Sequence, residues 1–408
     1  MTGGLTTLLL VGLFWNVLLL MTLLFCVFRR RRMALHNARL SQPHALLSAV
    51  LIRPCAGDEP GLEACLTSIV HARRSFPVEV VFGVDSPKDT AIPAIQAAVA
   101  ALRDHDIPSR MVVAPIIGPN RKVSILAGCM DTVAREVEIV ISADSNTDLS
   151  GYNLDSLARS RAAAMWAPPR VDTPSGSGWG SRMQQAVLLH SWHSFGLLSA
   201  LDPRGMVGKL FALKREALDR IGGFGALVNY LGEDMQLSRL LREHGYDVTS
   251  DIRSVRTVVP PASPSATLAR FARWTMVIKA QRRALLVSYP LLFFHFVPTL
   301  LLGLFAIPIL PILALILLLL GGVVRWSVGV TASRMLGIRP RLLETLTMPA
   351  VADVVLCAAF FKALTMKQVE WRGRAFTLGP SGELSYGRQN TNILGWDGHA
   401  SSEGRGYQ

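Results

Sequence analysis

The chain has 408 residues, half of them apolar, and its 42 basic and 29 acidic side chains give a formal net charge of +13. This length allows one large domain with membrane segments or two modest domains. The basic residues stand beside apolar spans and not in a long run with interleaved aromatics, so the charge favours a membrane surface over nucleic acid as the partner. Five cysteines without a CxxC pair or metal-finger spacing fit a reduced, cytoplasmic compartment.

The first predicted element is an N-terminal transmembrane anchor over residues 1–32. Residues 4–28 carry no charge and are long enough to cross a bilayer, which takes about 20 residues. Four arginines follow at positions 29–32, whereas in a cleaved signal peptide the basic cluster precedes the apolar stretch. The positive-inside rule then predicts that the N-terminus lies outside and that the following domain lies on the cytoplasmic face.

Between residues 45 and 265 apolar runs alternate with helical periodicity, which predicts a cytoplasmic α/β domain with a largely parallel sheet. The runs that predict buried strands lie at 48–52, 78–84, 110–113, 137–141 and within 205–214. Helices are predicted between the first four strands, at about 60–72, 90–103 and 122–135.

Acidic clusters follow three of these strands at the point where each strand ends. Asp58 comes after the first strand, Asp85 after the second and Asp144 after the fourth. A single acid in this position usually caps a turn or a helix. Ligands of parallel sheets lie beyond the carboxyl ends of the strands, however, so three such acids indicate one acidic site at one edge of the sheet.

The stretch 221–240 contains the acid to which we assign the chemistry. A glycine pair and an apolar loop lead into a Gly-Glu-Asp triplet that ends in Asp234 and opens a helical pattern. Acids in a first helical turn also suit the positive end of the helix dipole. Because other acids occur at matching points, and because the run Arg270-Phe-Ala-Arg273-Trp274 follows, we interpret Asp234 as a catalytic base.

The C-terminal half is predicted to associate with the membrane. Residues 266–286 form a basic amphipathic helix that carries the Arg-x-x-Arg-Trp run and is predicted to lie at the interface. Residues 287–326 are predicted to form a transmembrane hairpin because prolines interrupt the apolar sequence. Residues 183–201 fit either a core helix or a membrane-surface helix.

Two later segments complete the chain. Residues 347–377 are predicted to be membrane-embedded or re-entrant, because Asp353 and Lys362 interrupt the apolar pattern, and hydropathy does not decide between a re-entrant segment and a third crossing. Residues 378–408 are polar and glycine-rich, which predicts a disordered tail.

These residue types suit the transfer of a sugar from a nucleotide diphosphate to an alcohol. The leaving diphosphate gains negative charge, which a divalent cation or basic groups must meet, and Asp144 could hold a hard cation such as Mg²⁺ or Mn²⁺. The attacking alcohol needs a carboxylate to take its proton, a role that Asp234 fits. Arg270 and Arg273 could hold the diphosphate through their planar donor forks, and Trp274 could wall the donor or acceptor pocket.

The order of these features resembles the ceramide glucosyltransferases, within the larger group of inverting membrane glycosyltransferases that includes cellulose and hyaluronan synthases. The pattern of that family is three spaced aspartates followed by a Q/R-x-x-R-W run. Its matches in this chain are Asp85, Asp144, Asp234 and the run from Arg270 to Trp274. Supporting likenesses are Asp58 after the first strand, Lys122 at the start of a helix and the stretch Trp371-Arg372-Gly373-Arg374.

The resemblance implies a GT-A (Rossmann-like) fold, a UDP-sugar donor and inversion at the anomeric carbon. It implies that Asp85 lies on the nucleotide side, that Asp144 is a metal ligand and that Asp234 is the base. Asp58, Lys122 and the Arg270–Trp274 run are implied to contact the nucleotide sugar, the run also the acceptor. The chain departs from the family pattern at two places: Asn146 replaces the second aspartate of Asp-x-Asp, and Ser86 follows Asp85.

The sequence thus predicts a multi-pass membrane enzyme with its catalytic domain on the cytoplasmic face. The leading hypothesis is a single-addition enzyme that moves glucose or a related hexose from a UDP-sugar to a membrane lipid alcohol, ceramide first. The second is transfer of N-acetylglucosamine from its UDP-sugar to a hopanoid lipid. A processive polysaccharide synthase comes third, since it usually has more spans, and a non-catalytic membrane scaffold or receptor is the rival from another class.

Overall fold

A computed structural model describes residues 2–39, 47–172, 178–371, 374–380 and 382–386 of the chain. It begins with a long apolar helix, α1 (Thr2–Arg39). Apolar side chains along this helix, among them Leu8, Phe14 and Phe28, are more than half exposed. A helix of this length with exposed apolar groups is suited to contact lipid.

The first half of the domain alternates strands and helices. Its elements are β1 (Ala49–Pro54), α2 (Leu62–Thr67), β2 (Val78–Val84), α3 (Ile92–Arg103), β3 (Ser109–Val113), α4 (Arg121–Met130) and β4 (Ile139–Ala143). Strand β1 pairs in parallel with β2 and β4, and β2 pairs in parallel with β3. This arrangement confirms the predicted mixed α/β class with a parallel sheet.

The second half of the domain extends the sheet. Its elements are β5 (Thr147–Asp148), α5 (Asp155–Ala158), β6 (Ala164–Trp166), β7 (Pro169–Asp172), α6 (Trp179–His190), α7 (Phe195–Leu201), β8 (Leu210–Lys214), α8 (Arg215–Arg220), α9 (Glu233–Glu243), β9 (Val248–Ser250) and β10 (Val255–Val258). Strand β8 is antiparallel to β4 and β6. The main sheet has the order β3-β2-β1-β4-β8-β6-β9, and a small sheet has the order β5-β10-β7.

Helices cover both faces of the main sheet, which explains why its strands read as continuous apolar runs. Leu51 packs into a core with Phe82 on one face, and its neighbour Ile52 packs with Val140 on the other. Successive side chains of a strand point to opposite faces, so β1 contributes to both cores. The sheet therefore lies in the middle of the domain, with its carboxyl ends free to form a site.

The C-terminal elements are mainly long helices, followed by three short strands. They are α10 (Pro264–Gln281), α11 (Phe296–Ala306), α12 (Pro311–Met335), α13 (Leu342–Thr365), β11 (Val369–Trp371), β12 (Arg374–Leu378) and β13 (Leu384–Tyr386). Within the part of the chain that the structure describes, α1, α12 and α13 are long and apolar enough to cross a membrane. The bent pair formed by 283–293 and α11 would make a fourth crossing.

The segments before and after α13 contact the α/β domain, and the end of the helix itself contacts α10. Shortly before its start, Ser254 Oγ donates to the Leu336 carbonyl at 2.9 Å. At its end, Lys279 Nζ donates to the carbonyls of Ala363 and Leu364 at 3.2 and 3.1 Å. The chain then returns to the domain, where the Leu384 N–H donates to the Asn229 carbonyl at 2.6 Å.

A third core joins the membrane helices to the domain. It contains Cys26 of α1, Trp192, Phe271 of α10, Val328 of α12 and Ala359 of α13, all at most 1% exposed. The segment 183–201, for which a core helix and a surface helix were both open, forms the end of α6 and all of α7 in this region. Its largest side chain, that of Trp192, is fully buried, which favours the core interpretation.

The C-terminal tail differs in part from its prediction. Strand β13 lies inside 378–408, which was expected to be disordered, and pairs with β12. Residues 387–408 lie outside the described residues, as do Arg372 and Gly373 of the Trp-Arg-Gly-Arg stretch.

Candidate active site at the carboxyl ends of β1 and β4

Arg53 fixes the loop that carries Asp144. Although it lies within the apolar strand β1, its side chain is fully buried. Its Nη2 atom donates to the carbonyls of Asp144, Ser145 and Thr147, at 2.9, 3.3 and 2.5 Å, and Nη1 donates to the Cys65 carbonyl at 2.6 Å. Because a buried guanidinium needs such acceptors, the loop after β4 is held in one conformation.

Two lysines bind the Asp144 carboxylate. Lys122 Nζ lies 2.8 Å from Oδ1, and Lys209 Nζ lies 2.7 Å from Oδ2. Lys209 Nζ also donates to Asn146 Oδ1 at 3.1 Å. Burial alone would raise the pKa of Asp144, but the two ammonium groups lower it to about 2, so the carboxylate is ionised at neutral pH.

Lys122 links Asp144 to the start of α9. Its Nζ atom also lies 3.0 Å from Glu233 Oε1 and donates to the Gly208 carbonyl at 3.1 Å. Burial alone would lower the pKa of Lys122, but the Asp144 and Glu233 carboxylates raise it above the ordinary value. The three N–H groups of this ammonium therefore have three protein acceptors.

Asp234 is held by backbone groups on the other side of Gly208. Its Oδ2 atom accepts from the Gly208 N–H at 2.9 Å, and Oδ1 accepts from the Met235 N–H at 2.8 Å. Burial and the neighbouring Glu233 carboxylate raise the pKa of Asp234 to about 6, against the lowering effect of Lys122. A carboxylate with such a pKa is a suitable general base near neutral pH.

Gly208 allows this close arrangement because it has no side chain. A Cβ atom at this position would lie 3.2 Å from Lys122 Nζ and 3.4 Å from Asp234 Cβ. The same residue thus accepts from Lys122 through its carbonyl and donates to Asp234 through its N–H. Asp144 and Asp234, which the sequence predicted to act together, are connected through Lys122 and Gly208.

A cavity of about 110 Å³ adjoins this cluster and is lined by Lys122, Lys209, Asp144 and Glu59, among others. Glu59 Oε2 accepts from Ser145 Oγ at 2.8 Å. Asp58, predicted to contact the nucleotide sugar, lies next to Glu59 with an exposed side chain.

Asp85 lies at the end of β2, which is separated by β1 from the strand β4 that precedes Asp144. Its side chain is 3% exposed and forms an ion pair with Arg121, the residue before Lys122 in α4. Helix α4 therefore holds the predicted nucleotide-side aspartate with one residue and Asp144 with the next.

The Arg-x-x-Arg-Trp run lies on α10. Arg270 Nη1 donates to Gln184 Oε1 at 2.6 Å, and Arg273 Nη1 donates to the Glu370 carbonyl at 3.5 Å. The Trp274 ring stacks on His193, with centroids 5.9 Å apart, and burial lowers the pKa of that histidine to about 4. The contacts of these side chains lie outside the Asp144 cluster, so their roles toward donor and acceptor stay predictions.

The C-terminal end of helix α10 nevertheless approaches the loop that precedes α9 and Asp234. A Cβ atom on Gly232, two residues before Asp234, would lie 2.8 Å from Val277 Cγ1 and 3.1 Å from Gln281 Nε2. The aromatic residues around Trp274 are thus about one helical turn from the start of α9.

Sequence reasoning missed Lys209 and the structural role of Arg53. Both are basic residues inside or beside apolar runs that predict buried strands. A charge in such a run needs a buried partner, which is the signal that could have identified them.

The donor set around Asp144 does not fit a divalent cation as it stands. Within the described ranges, no group of three or more His, Cys, Asp or Glu side chains could hold a metal ion. Mg²⁺ can be held by one or two carboxylates together with water and phosphate oxygens. Here, however, both Asp144 oxygens and Asn146 Oδ1 are already bound to ammonium groups.

The fold and the site define a class of protein: a mixed α/β domain of the GT-A type, with charged groups at the carboxyl ends of its strands and apolar helices at both ends of the chain. The family model for glycosyl transferase family 21 matches residues 14–384. The chain therefore belongs to glycosyltransferase family 21, which is consistent with its resemblance to the ceramide glucosyltransferases.

Several solved structures that are similar to this chain contain a bound nucleotide or nucleotide sugar. The mannosyltransferase PcManGT from Pyrobaculum calidifontis, in complex with GDP-Man and Mn²⁺, is 17% identical, with 88% of this chain and 99% of that chain covered and a TM-score of 0.44. S. aureus TarS 1–349 with UDP-GlcNAc is 12% identical, with coverages of 84% and 99% and a TM-score of 0.35. GalNAc-T7 with UDP, GalNAc and Mn²⁺ is 14% identical, with coverages of 59% and 49% and a TM-score of 0.38.

These likenesses are too distant to transfer a donor, a metal or an acceptor to this chain. No curated protein matches it.

Proposed function

We propose that this glycosyltransferase moves a hexose, glucose first, from a UDP-sugar to the hydroxyl group of a membrane lipid, with inversion at the anomeric carbon. The observation that carries the proposal is the connected set Asp144–Lys122–Gly208–Asp234. It joins two ammonium groups, which can donate hydrogen bonds to a diphosphate, to a carboxylate with the raised pKa of a base.

In the proposed reaction the acceptor hydroxyl attacks the anomeric carbon from the face opposite the diphosphate. A new carbon–oxygen bond forms, and the bond from the anomeric carbon to the diphosphate oxygen breaks with its electron pair left on that oxygen. Asp234 takes the hydroxyl proton, so the product glycoside is neutral. The protonated Asp234 carboxyl group then loses its proton to water. Attack from the opposite face gives inversion.

Positive charge must meet the departing diphosphate. The sequence predicts Mg²⁺ or Mn²⁺ on Asp144 for this purpose. Because the Asp144 oxygens already hold ammonium groups, the proposed mechanism has no step through a metal ion. Lys122 and Lys209 supply positive charge there, and Arg270 and Arg273 are proposed to add diphosphate contacts when the donor is bound.

Asp85 and Asp58 are proposed to serve the nucleotide side of the same site, in line with the resemblance. Asp85 has the defined position for this role, since it is held by Arg121 next to Lys122.

The acceptor is proposed to be a membrane lipid, because the aromatic residues around Trp274 belong to a core that the membrane helices share. Ceramide is the first candidate. A hopanoid lipid with UDP-N-acetylglucosamine as donor is the alternative. A processive synthase is less favoured, because at most four crossings are found among the described residues, and a scaffold has no use for a base at Asp234.

We further propose that the α/β domain lies on the cytoplasmic face and that α1, the bent pair of 283–293 with α11, and α12 cross the bilayer. Helix α13 is not proposed to cross, because the chain contacts the α/β domain before its start, at Leu336, and after its end, at Leu384. It is proposed to lie in the plane of the inner leaflet, with its exposed Leu343, Val354 and Phe361 toward lipid.

A donor and acceptor panel tests the proposed function. Purified full-length protein in detergent is given UDP-glucose or UDP-N-acetylglucosamine with ceramide or a hopanoid polyol, and release of UDP is measured. One pairing should release UDP with formation of the glycolipid. Release of UDP without any glycolipid, or elongation of a polysaccharide, would contradict a lipid acceptor.

A further inference from the structure

We propose that Lys209 supplies the positive charge that meets the departing donor diphosphate, in the place where a divalent cation would otherwise bind. This inference rests on the proposed function, because it concerns the donor side of the same site.

The Lys209 ammonium lies between the two side chains that a cation would need. It is 2.7 Å from Asp144 Oδ2 and 3.1 Å from Asn146 Oδ1. Hard cations take oxygen ligands, and these are the oxygen atoms that the Asp-Ser-Asn sequence offers to the cavity. An ammonium group and a divalent cation cannot share them, because the two positive charges repel at such a distance.

The backbone of Lys209 is fixed to the same loop. Its carbonyl accepts from the Asp144 N–H at 3.0 Å and from Thr147 Oγ1 at 3.1 Å. The backbone of Lys209 is therefore hydrogen-bonded to the same loop whose Asp144 carboxylate its side chain neutralises. A charge held in this way needs little reorganisation during the reaction, which is the condition for strong electrostatic stabilisation.

The two lysines differ in how many of their N–H groups are in use. Lys122 has three acceptors, Asp144, Glu233 and the Gly208 carbonyl. Among the residues that the structure describes, Lys209 has two acceptors, Asp144 and Asn146. An ammonium group carries three N–H donors, so Lys209 keeps one for an incoming phosphate oxygen.

The charges of the cluster also suit a diphosphate without a metal ion. Lys122 and Lys209 balance the carboxylates of Asp144 and Glu233. The Asp144 and Glu233 carboxylates therefore do not face the diphosphate as unpaired charges, and Glu59, the other carboxylate that lines the cavity, accepts from Ser145 Oγ at 2.8 Å. When the bond to the anomeric carbon breaks, the electron pair stays on the diphosphate oxygen, and Lys209 donates a hydrogen bond to it without giving up its proton.

The wild-type protein provides the first test. Transfer from the donor in EDTA should equal transfer with added Mg²⁺ or Mn²⁺, and inorganic diphosphate should bind by calorimetry in EDTA. Electron paramagnetic resonance should detect no stoichiometric Mn²⁺ bound to the protein. Loss of transfer in EDTA with recovery on Mn²⁺, or one tightly bound Mn²⁺ per chain, would overturn the inference.

The variant Lys209→Met provides the second test, because methionine keeps the length of the side chain and removes the charge. Turnover should fall about a hundredfold, as for other fixed donors to a developing negative charge. Inorganic diphosphate should bind more weakly. Added Mn²⁺ should raise the rate of this variant, because Asp144 Oδ2 and Asn146 Oδ1 become free to bind it.

Lys214→Met is the matched control. This lysine ends the strand that Lys209 precedes, and its Nζ donates to the Arg161 carbonyl at 3.1 Å, away from the cavity. Its removal should leave turnover and diphosphate binding unchanged. A Lys209→Met protein that turns over the UDP-sugar at the wild-type rate in EDTA would contradict the inference. If no UDP-sugar is turned over at all, the proposed function fails, and diphosphate binding and Mn²⁺ resonance still decide the role of Lys209.

Discussion

At the scale of single residues, the proposed function depends on the different surroundings of two carboxylates. Asp144 is bound by two ammonium groups and stays ionised, whereas Asp234 is bound by two backbone N–H groups and has a raised pKa. Environments that push two carboxyl pKa values apart commonly mark their separate tasks. In the proposed mechanism Asp144 is therefore the charge-bearing residue and Asp234 the proton acceptor.

The variant Asp234→Asn should bind the donor and fail to turn it over. The amide oxygen can still accept from the Gly208 N–H, and the hydrogen bond from the Met235 N–H to the other oxygen is lost. Turnover should fall by about a hundredfold to ten-thousandfold, the usual contribution of a general base. UDP release measures turnover, and calorimetry with the UDP-sugar measures binding.

Asp219→Asn is a control for that variant, since Asp219 is 59% exposed and pairs only with Arg215 among the described residues. It should behave as wild type. Equal rates for Asp234→Asn and Asp219→Asn would remove Asp234 from the role of base.

The pH dependence of kcat/KM should report the raised pKa of Asp234. A base must be unprotonated to accept a proton, and the Asp234 pKa is about 6 and not the ordinary value near 4. Activity should therefore fall with one proton as the pH drops through about 6. An acid limb near pH 4, measured with a donor whose own ionisation is constant there, would contradict the assignment.

At the scale of elements, Arg53 joins β1 to the loop between β4 and β5 and to α2. The variant Arg53→Met keeps the length of the side chain but leaves four buried carbonyls without their charged donor. Since each unsatisfied group costs about 1–3 kcal/mol, the unfolding free energy should fall by several kcal/mol. A thermal shift measured in detergent checks this.

Arg103→Met, at the exposed end of α3, is the control for Arg53→Met and should leave the melting temperature near that of wild type. If Arg53→Met has the same melting temperature as the control, the Arg53 hydrogen bonds do not stabilise the loop after β4.

The sequence predicts the elements that depend on local pattern well. Strand β2 was predicted at 78–84 and lies at Val78–Val84, because β-branched residues within a bounded apolar run leave little choice. Asp144 and Asp234 were predicted to act together; Lys122 and Gly208 link the two side chains, and their joint role stays a prediction.

Pairings between distant residues are what the sequence does not reveal. Lys209 lies 65 positions after its partner Asp144 and precedes a strand whose apolar pattern hides its charge. Hydropathy likewise does not tell whether α13 crosses the membrane, because a lipid-facing helix exposes apolar side chains in either orientation. The contacts of the segments on either side of α13 support the in-plane placement that we propose for it.

At the scale of the whole molecule, the placement of α13 can be tested by cysteine labelling. In a cysteine-free background, single cysteines at Thr347 and Thr365, both exposed, lie near opposite ends of α13. An in-plane helix should leave both reactive from the cytoplasmic side with a membrane-impermeant maleimide. Labelling of one from each side would show that α13 crosses.

A cysteine in place of Arg29, which follows the apolar stretch of α1 and is proposed to lie on the cytoplasmic side, serves as the control for sidedness. It should react from the same side as both α13 positions.

The third core has a practical consequence for anyone who wishes to study the catalytic part alone. Trp192 and Phe271 belong to the same buried core as Val328 and Ala359 of the membrane helices. A truncation between α10 and α12 would therefore divide this core. Removing everything after α10 would expose the aromatic side chains of this core to water, and the fragment should aggregate. Preparations of this enzyme therefore need amphiphiles from the first extraction onward.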